Sequence, residues 1–275
     1  MPSQVLTNMT VAGFGNTATP TQTTTLARNY TYDAGNQLNN WNYAVNIYSS
    51  SFPVQTDTYT YDNNGNRLNK QAVLTGQEGT PQQTTYSYDF ENRLASLGYV
   101  NIPGITGTQT DTLTYNGEGL RTQAVLNSVA ANYLYDGSNI LVERDGSNNT
   151  TKSYTRGLDF GGGIGSLIAQ NTTTAPATAQ YYDYNDLGSS SDLTTSTGTS
   201  AASYSYDAFG NLLTPQAGGD TNRYLFSMKE LDSRSGLQFF GARYYDPEVG
   251  RWFSPGSFGM IEKAEEFTQV FSKFL

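Results

Sequence analysis

A short string of aromatic and turn-forming residues recurs along this chain and constrains its fold more than any other feature. Each copy has a Tyr, a following Asp or Asn, and then a Gly or Asn three residues further on. A repeat of this kind predicts an array of similar small units. The turn positions of the seven copies are Asp33 and Asn36, Asp62 and Gly65, Asp89 and Asn92, Asn116 and Gly119, Asp136 and Asn139, Asn185 and Gly188, and Asp207 and Gly210.

The chemistry of each string predicts a β-hairpin. Asp or Asn at the first turn position accepts hydrogen bonds from backbone N–H groups just ahead of it. The later Gly or Asn tolerates the positive φ that closes a type I turn into a hairpin. In six copies a second Tyr stands two residues before the first, so both rings point to one face of the incoming strand. A weaker turn is expected at Asp145–Asn148.

A lone hairpin is only marginally stable in water, so neighbouring hairpins must pair edge to edge. We therefore predict an all-β fold, a ribbon or spiral of hairpins that ends in a meander and one short amphipathic helix. A β-sandwich is the alternative. The predicted segments are an N-terminal strand and loop segment at 1–29, the repeat sheet at 30–222, a core at 223–256 and the helix at 257–275.

Composition excludes several classes of function. The chain has no Cys and no His, which removes thiolate chemistry and the commonest general base and metal ligand. Its net charge of −9 argues against nucleic acid as a partner, and no apolar run is long enough to span a membrane. The run Gly161–Gly165 lacks the Lys and Ser or Thr of a phosphate loop. From these residues we predict no enzyme, no catalytic residue, no cofactor and no metal site.

Two stretches carry a specific resemblance. Tyr61–Leu68, YDNNGNRL, resembles the YD repeat of RHS proteins, teneurins and the cocoon subunits of Tc toxins. Phe226–Pro255 looks like the RHS-repeat-associated core that ends the repeat array in bacterial members. Its characteristic residues here are Phe239, Phe240, Arg243, Tyr244, Tyr245, Asp246, Pro247, Gly250, Arg251 and Trp252.

The core segment is also expected to fold as a meander from its own residues. Asp232 with Gly236, and Asp246 with Gly250, share one spacing that suits a hairpin loop. The strands expected around them are Tyr224–Leu231, Leu237–Tyr245 and Arg251–Phe253, and Gly241 indicates a bulge in the middle one. Arg243 and Arg251 are candidates to pair with the acidic repeat sheet.

The resemblance implies a function. In the family, the repeats form the wall of a hollow shell around a fused or associated toxin or passenger domain, and an aspartyl-protease-like site past the core releases that domain. The expected Asp-Pro is absent after Ser254-Pro255, so autoproteolysis is not expected here. The resemblance implies a structural role in an exported, extracellular or cell-surface protein.

Two other roles stay open from the sequence. Rows of Tyr side chains can stack on sugar rings, which makes a carbohydrate-binding or adhesive module the second hypothesis. The candidate residues are Tyr59, Tyr61, Tyr86, Tyr88, Tyr204 and Tyr206. Open ribbon edges invite pairing with other copies of the chain, so a self-assembling protomer is the third. The C-terminal helix is interpreted as a plug for the spiral, the start of a passenger domain, or a partner-binding element.

Overall fold

The computed structural model describes residues 6–7, 24–33, 37–47, 50–51, 55–74, 76–158, 166–173, 178–213 and 222–254. These ranges contain 21 β-strands and one 3-10 turn, Phe226–Met228. The chain divides into two units. One comprises 1–87 with 96–110, and the other comprises 88–95 with 111–275. The predicted helix at 257–275 and the run Gly161–Gly165 lie outside the described residues.

The first unit is an antiparallel sheet of hairpins. Its strands pair in sequence order, except that β3 pairs with both the short β4 and the next strand, β5. Leu38, Trp41, Tyr59, Leu97 and Tyr99 form its buried core. The strands are β1 Leu6–Thr7, β2 Thr24–Tyr32, β3 Leu38–Ile47, β4 Ser50–Ser51, β5 Gln55–Tyr61, β6 Arg67–Leu74, β7 Gln82–Tyr88 and β8 Leu94–Val100, the last two crossing the boundary between units.

The second unit continues the same pattern and adds a small sheet. Each strand from β9 to β17 pairs antiparallel with its sequence neighbours. Its strands are β9 Gln109–Tyr115, which begins two residues before the boundary, β10 Arg121–Leu126, β11 Val129–Asp136, β12 Asn139–Asp145, β13 Thr150–Arg156, β14 Leu167–Thr172, β15 Thr178–Tyr184, β16 Ser190–Thr195 and β17 Ser200–Ser203. The small sheet comprises β18 Glu230–Leu231, β19 Gln238–Phe239, β20 Tyr244–Asp246 and β21 Arg251–Trp252.

The prediction of an all-β fold built from antiparallel hairpins is confirmed. Strands alternate between buried and more exposed positions, as in β5, where Asp57 and Tyr59 are buried and Thr58 and Thr60 are exposed. This period of two follows from the pleat, which turns successive side chains to opposite faces. Sequence neighbours pair within each unit, as the hairpin ribbon requires.

The core meander differs in detail from the prediction. The expected strand Leu237–Tyr245 is split, because Gly241 has a φ of +91° and the Phe240 N–H donates to the Arg243 carbonyl oxygen at 2.9 Å. Gly241 therefore lies in a tight turn between β19 and β20, where a bulge was expected. The predicted boundary at residue 30 also lies inside a strand, since β2 already begins at Thr24.

Candidate functional site

The repeat turns are closed by the side chain at their first position. Asp62 accepts the N–H groups of Asn64 at 2.9 Å and Asn66 at 2.8 Å through one carboxylate oxygen. The Gly65 N–H donates to the Asp62 carbonyl oxygen at 3.0 Å, and Gly65 has a φ of +86°. A carboxylate at this position thus satisfies backbone groups that the turn would otherwise leave without partners.

The same geometry recurs at five further turns. In each, the first side chain accepts the N–H groups two and four residues ahead, and the fourth residue has a positive φ. The turns begin at Asp89, Asn116, Asp145, Asn185 and Asp207, and the positive φ falls on Asn92, Gly119, Asn148, Gly188 and Gly210. At Asp33 the carboxylate accepts the Gln37 N–H at 2.8 Å, while Asn36 lies outside the described residues.

The turn at Asp136 was predicted wrongly. Asp136 and Asn139 face each other as the last pair of β11 and β12, so the loop between them has only two residues. The positive φ falls on Gly137, at +56°. Gly at the first of two loop positions closes a short hairpin by itself, and Asn139 is free to continue in a strand.

The tyrosines link successive hairpins. At four of the described turns, the Tyr that precedes the turn residue donates its hydroxyl to a backbone carbonyl of an earlier outgoing strand, and the acceptor is five positions after the previous turn residue. These bonds are Tyr61 to Leu38 at 2.9 Å, and Tyr115 to Leu94, Tyr135 to Arg121 and Tyr206 to Ser190 at 2.8 Å.

This arrangement weakens the carbohydrate-binding hypothesis. Of the six candidate tyrosines, Tyr59, Tyr86 and Tyr204 are only 5–8% exposed. The hydroxyls of Tyr61 and Tyr206 are bonded to carbonyl oxygens, and Tyr88 stacks on Phe253 with ring centroids 6.3 Å apart. A ring that is buried in its own sheet has no free face for a sugar, so Tyr59, Tyr86 and Tyr204 do not form an exposed row.

The candidate site lies in the second unit, where the core meets the repeat strands. Glu230, at the start of β18, is 4% exposed and forms an ion pair with Arg121 of β10. Arg121 also donates to the Tyr244 hydroxyl at 2.7 Å and lies over the ring of Phe239 at 4.4 Å. A guanidinium that is 2% exposed therefore has a charged partner, a hydroxyl and a ring face around it.

Arg223 extends this network. It bonds to Glu143 of β12 at 2.7 Å and to Glu230 at 3.3 Å. Tyr154 donates its hydroxyl to Glu143 as well. Burial by itself raises the pKa of the Glu143 carboxyl, but Arg223, the Tyr154 hydroxyl and Lys152 together hold it below its ordinary value. The charges of two arginines and two glutamates are thus paired inside the unit.

A third ion pair fastens the hairpin loop that follows β18. Arg234 reaches Asp111 of β9, which is fully buried, at 2.8 Å. Asp111 also accepts the Asn127 N–H at 2.8 Å. Burial raises the pKa of the adjacent Asp232 carboxyl, although the Ser235 hydroxyl and the Arg234 N–H oppose that rise. The loop is therefore held by a strong pair beside a carboxyl whose ionisation is disfavoured.

The last repeat turn contacts the core from the other side. The Asn211 amide donates to the Pro247 carbonyl oxygen at 2.8 Å, Tyr245 donates to that of Phe209 at 3.0 Å, and Gln238 to that of Gly210 at 3.0 Å. A cavity of about 180 Å³ lies here, lined by residues that include Leu212, Leu225, Leu231 and Gln238.

Gly210 and Gly250 permit this close approach. A Cβ on Gly210 would lie 2.6 Å from ring carbons of Phe226, and one on Gly250 would lie 2.8 Å from Phe209. Both also have positive φ.

Phe239 and Tyr244 face Arg121, whereas Phe240, Arg243, Tyr245 and Trp252 form a separate cluster. Asp246 and Pro247 are buried in the second core turn, and Arg251 pairs with Asp246 across β20 and β21.

The residues that fasten the core were not singled out from the sequence. Arg121, Glu143, Arg223 and Glu230 are charged residues in or beside strands, and no short motif links them. Arg243 was expected to pair with the acidic sheet, yet it lies over the Trp252 ring at 4.3 Å. The available signal was weak: Arg121 and Glu143 occupy strand positions whose pleat directs them to the buried face.

Neither a metal cluster nor a membrane helix is seen in the part of the chain that the structure describes. No group of three or more acidic side chains there is arranged to hold a metal ion. No helix in the same ranges combines the length and apolar character that crossing a bilayer requires. In the described residues, buried ion pairs join the repeat strands of the second unit to the core.

Comparison with known proteins finds relatives by sequence, while no family model matches. The chain is 33% identical over 231 residues to the tRNA nuclease WapA of Bacillus subtilis (strain 168), and 32% identical over 230 residues to the tRNA3(Ser)-specific nuclease WapA of Bacillus spizizenii. Each alignment covers 79% of this chain and 9% of the relative. The chain thus spans about a tenth of the length of these relatives.

Solved structures were also compared. The crystal structure of TcdB2-TccC3 aligns with 86% of this chain and 15% of its own, at 17% identity and a TM-score of 0.49. The Photorhabdus luminescens Tc holotoxin pore aligns with 86% of this chain and 14% of its own, at 18% identity and a TM-score of 0.48.

The relatives overturn the prediction that the chain has no enzymatic function. They are named tRNA nucleases, so enzymatic activity is associated with proteins of this kind. The prediction failed because it rested on the residue types and charge of one segment. A segment that matches 9% of a relative does not limit the chemistry or the partners of the whole protein, and the exclusion of nucleic acid had the same basis.

Proposed function

We propose that this chain is a structural shell segment of a bacterial RHS-type toxin, and that it encloses an associated toxin domain. The observation that carries the proposal is the fastening of the core onto the repeat strands. Glu230 and Arg223 of the core region reach Arg121 and Glu143 of the repeat strands through buried ion pairs. Such a junction makes the core and the nearby hairpins one mechanical unit, as the end of a wall requires.

The repeat geometry supports a wall that is built by addition. Six of the described turns are each closed within five residues by the side chain at their first position, as at Asp207. Four Tyr hydroxyls then tie a hairpin to an earlier one, as Tyr206 does with Ser190. Because the bonds that form and join the hairpins repeat, the sheet extends without any new long-range contact, and the core terminates it.

The proposed partner is a toxin or passenger domain, and the proposed location is outside the cell or at its surface. The relatives' names suggest the activity. We include in the proposal that the protein to which this segment belongs acts on tRNA, as the WapA nucleases are named for doing. Relatives at 32–33% identity over 79% of the chain support this.

Protection from protease tests the shell role. A peptide with a protease recognition site is fused after residue 275, and its cleavage is timed in the otherwise unchanged chain and in Arg121→Gln. Enclosure predicts slow cleavage in the parent, and faster cleavage once the core is loosened. Equally fast cleavage in both, with native melting of the parent, contradicts enclosure. The variant Arg144→Gln is the control, because its guanidinium bonds to Asn148 in its own turn and, within the described residues, forms none of the ion pairs that join the core to the repeat strands.

The activity on tRNA needs a separate assay. The full-length protein to which this segment belongs is incubated with bulk tRNA and divalent cation, and the products are separated on a denaturing gel. Discrete fragments that increase with protein concentration support this part of the proposal. Intact tRNA throughout contradicts it and leaves the shell role unaffected, because protease protection does not depend on cleavage.

A further inference from the structure

The core sheet has two faces, and they differ in chemistry. Glu230, Phe239 and Tyr244 lie on one cross-strand row and face Arg121. Tyr245 and Trp252 lie on the next row, which faces the opposite way because of the pleat. The first face is covered by the repeat strands. The second is covered by the last repeat turn near Tyr245 and is open around Trp252, which is 39% exposed.

Three aromatic rings form a packed cluster on the second face. Phe240 and Trp252 lie edge to face with centroids 5.1 Å apart, and Tyr245 lies 5.7 Å from Trp252 and 5.9 Å from Phe240. All three interplanar angles are between 68° and 78°. The rings therefore hold one another in place, so the open surface of Trp252 is preorganised for contact.

Arg243 covers part of this cluster. Its guanidinium lies 4.3 Å above the Trp252 ring. Burial lowers the pKa of Arg243, and no charged group in the described residues opposes that shift. The arginines of the first face differ: Arg121, Arg223 and Arg234 each have a carboxylate within the described residues, whereas no such carboxylate is seen for Arg243. A partly desolvated guanidinium without a counter-charge costs free energy that an incoming carboxylate would recover.

We infer that the aromatic–arginine face, defined as Phe240, Arg243, Tyr245 and Trp252, binds an acidic peptide segment of a partner protein. Trp, Tyr and Arg are the residues that most often dominate the binding energy of protein interfaces. Here the rings offer an apolar contact and the planar guanidinium offers paired donors for one carboxylate. The inference stands on these residues and does not require the proposed shell function.

An acidic peptide fits this face better than RNA does. A nucleic acid presents a phosphate at each nucleotide, and its binding depends on several cations that neutralise several phosphates. The chain as a whole carries a net charge of −9, which repels a long polyanion. A peptide with one or two carboxylates beside apolar side chains requires only a single well-placed guanidinium.

Tryptophan fluorescence of the full chain reads out this binding. Trp252 is one of two tryptophans, and the other, Trp41, is 3% exposed. The probe is a capped decapeptide of Leu and Gln with one central Glu, and the same peptide with Gln in place of that Glu is the uncharged control. We expect saturable quenching by the acidic peptide, and binding about tenfold weaker to the control peptide and to Arg243→Gln. Arg144→Gln should bind like the parent.

Three results would overturn the inference. One is equal binding of the acidic and uncharged peptides. Another is an unchanged dissociation constant in Arg243→Gln when thermal melting shows that the variant is folded. The third is tighter binding of a single-stranded RNA decamer than of the acidic peptide, which would assign the face to nucleic acid. Trp252→Phe keeps an aromatic ring and should remove the signal, which ties the readout to this face.

Discussion

The repeat turns and the core junction are stabilised in opposite ways. In each turn the bonding partners are four residues apart or fewer, as between Asp62 and Asn66. In the junction, the ion pairs between the core and the repeat strands join residues that are 80 to 123 positions apart. Turn carboxylates such as Asp62 lie near solvent, whereas Glu230 and Asp111 are buried. The turns are therefore local and repeated, while the junction is long-range and occurs once in the described structure.

This difference predicts where the stability of the second unit is concentrated. Loss of one turn bond affects one hairpin, and water can replace the missing partner. Loss of one junction carboxylate leaves a guanidinium buried with no counter-charge, which is the costlier defect. Four variants test the contrast, and the first has the largest expected effect.

Glu230→Gln should be the most destabilising of them. It removes the charge that both Arg121 and Arg223 contact, while keeping the shape of the side chain. Breaking a buried pair in this way costs about 3–5 kcal/mol, measured by denaturant unfolding. Glu91→Gln is the matched control: its carboxylate pairs with Arg93 at 2.6 Å, but its side chain is 45% exposed. That change should cost about 0–1 kcal/mol, and equal losses in the two would erase the proposed contrast.

Gly210→Ala tests the repeat turns and the core together, because Gly210 lies in a repeat turn and also packs against the core. Its φ is +91°, and a Cβ would lie 2.6 Å from the Phe226 ring. We expect a loss of roughly 2–4 kcal/mol from the left-handed backbone and the overpacking together. Gly198→Ala has a similar φ of +79° with no atom near the new Cβ, so it should cost only about 1 kcal/mol. Similar thermal shifts in the two would show that Phe226 moves away freely.

Acid should weaken the junction through Glu143. Its folded pKa is below the ordinary value of 4.5, so the stabilisation is complete above that pH and is lost as the pH falls through the folded pKa. A carboxyl pKa that is one unit lower in the folded state than in the unfolded state adds about 1.4 kcal/mol to the free energy of unfolding. The free energy of unfolding, followed from about pH 6 to about pH 3, should fall less steeply in Glu143→Gln than in the parent.

Asp232 provides the control of opposite sign. Burial raises the pKa of its carboxyl, so its ionisation opposes folding above the folded pKa, and protonation relieves that cost. As the pH falls, protonation of Asp232 therefore adds to the free energy of unfolding. Asp232→Asn should lack that gain. If Glu143→Gln and Asp232→Asn change the pH profile in the same direction, the assignment of these two carboxyls is wrong.

Tyr135→Phe should have the smallest effect of the four. It deletes the hydroxyl that donates to the Arg121 carbonyl oxygen at 2.8 Å and leaves the ring in place. A single hydrogen bond of this kind contributes about 0.5–1.5 kcal/mol, measured as a change in the unfolding midpoint. Tyr181→Phe, at a ring that is 43% exposed, should be close to neutral. A loss as large as that of Glu230→Gln would mean that the tyrosine ladder dominates the unit.

The same contrast explains what the sequence could predict. The turns at Asp62 and Asp207 could be predicted because the carboxylate, the Gly and the strand residues that define them are adjacent in the chain. The turn at Asp136 was misassigned because its residues suit two turn geometries. The longer turn would place the positive φ at Asn139, whereas the two-residue loop that forms places it at Gly137, directly after the Asp. The Tyr rows were expected to be exposed, since a single hairpin does not reveal that Tyr59 is covered by the rest of the sheet.

The junction could not be predicted in the same way. Glu230 and Arg121 are 109 positions apart, and neither lies in a motif that marks it as buried. Their partnership depends on how many hairpins separate them and on how the core folds back. Only the alternation of strand positions indicated that these charges point inward, and that signal does not identify a partner.

Native-state hydrogen exchange tests the central claim, which is that the core and the repeat strands of the second unit open together. Amides of β10 to β13 are compared with those of β18 to β21 as denaturant is increased. Our account predicts that both sets approach one common opening free energy, and that Glu230→Gln lowers it in both. Core amides that exchange through a separate, lower-energy opening while β10 to β13 stay protected would contradict it.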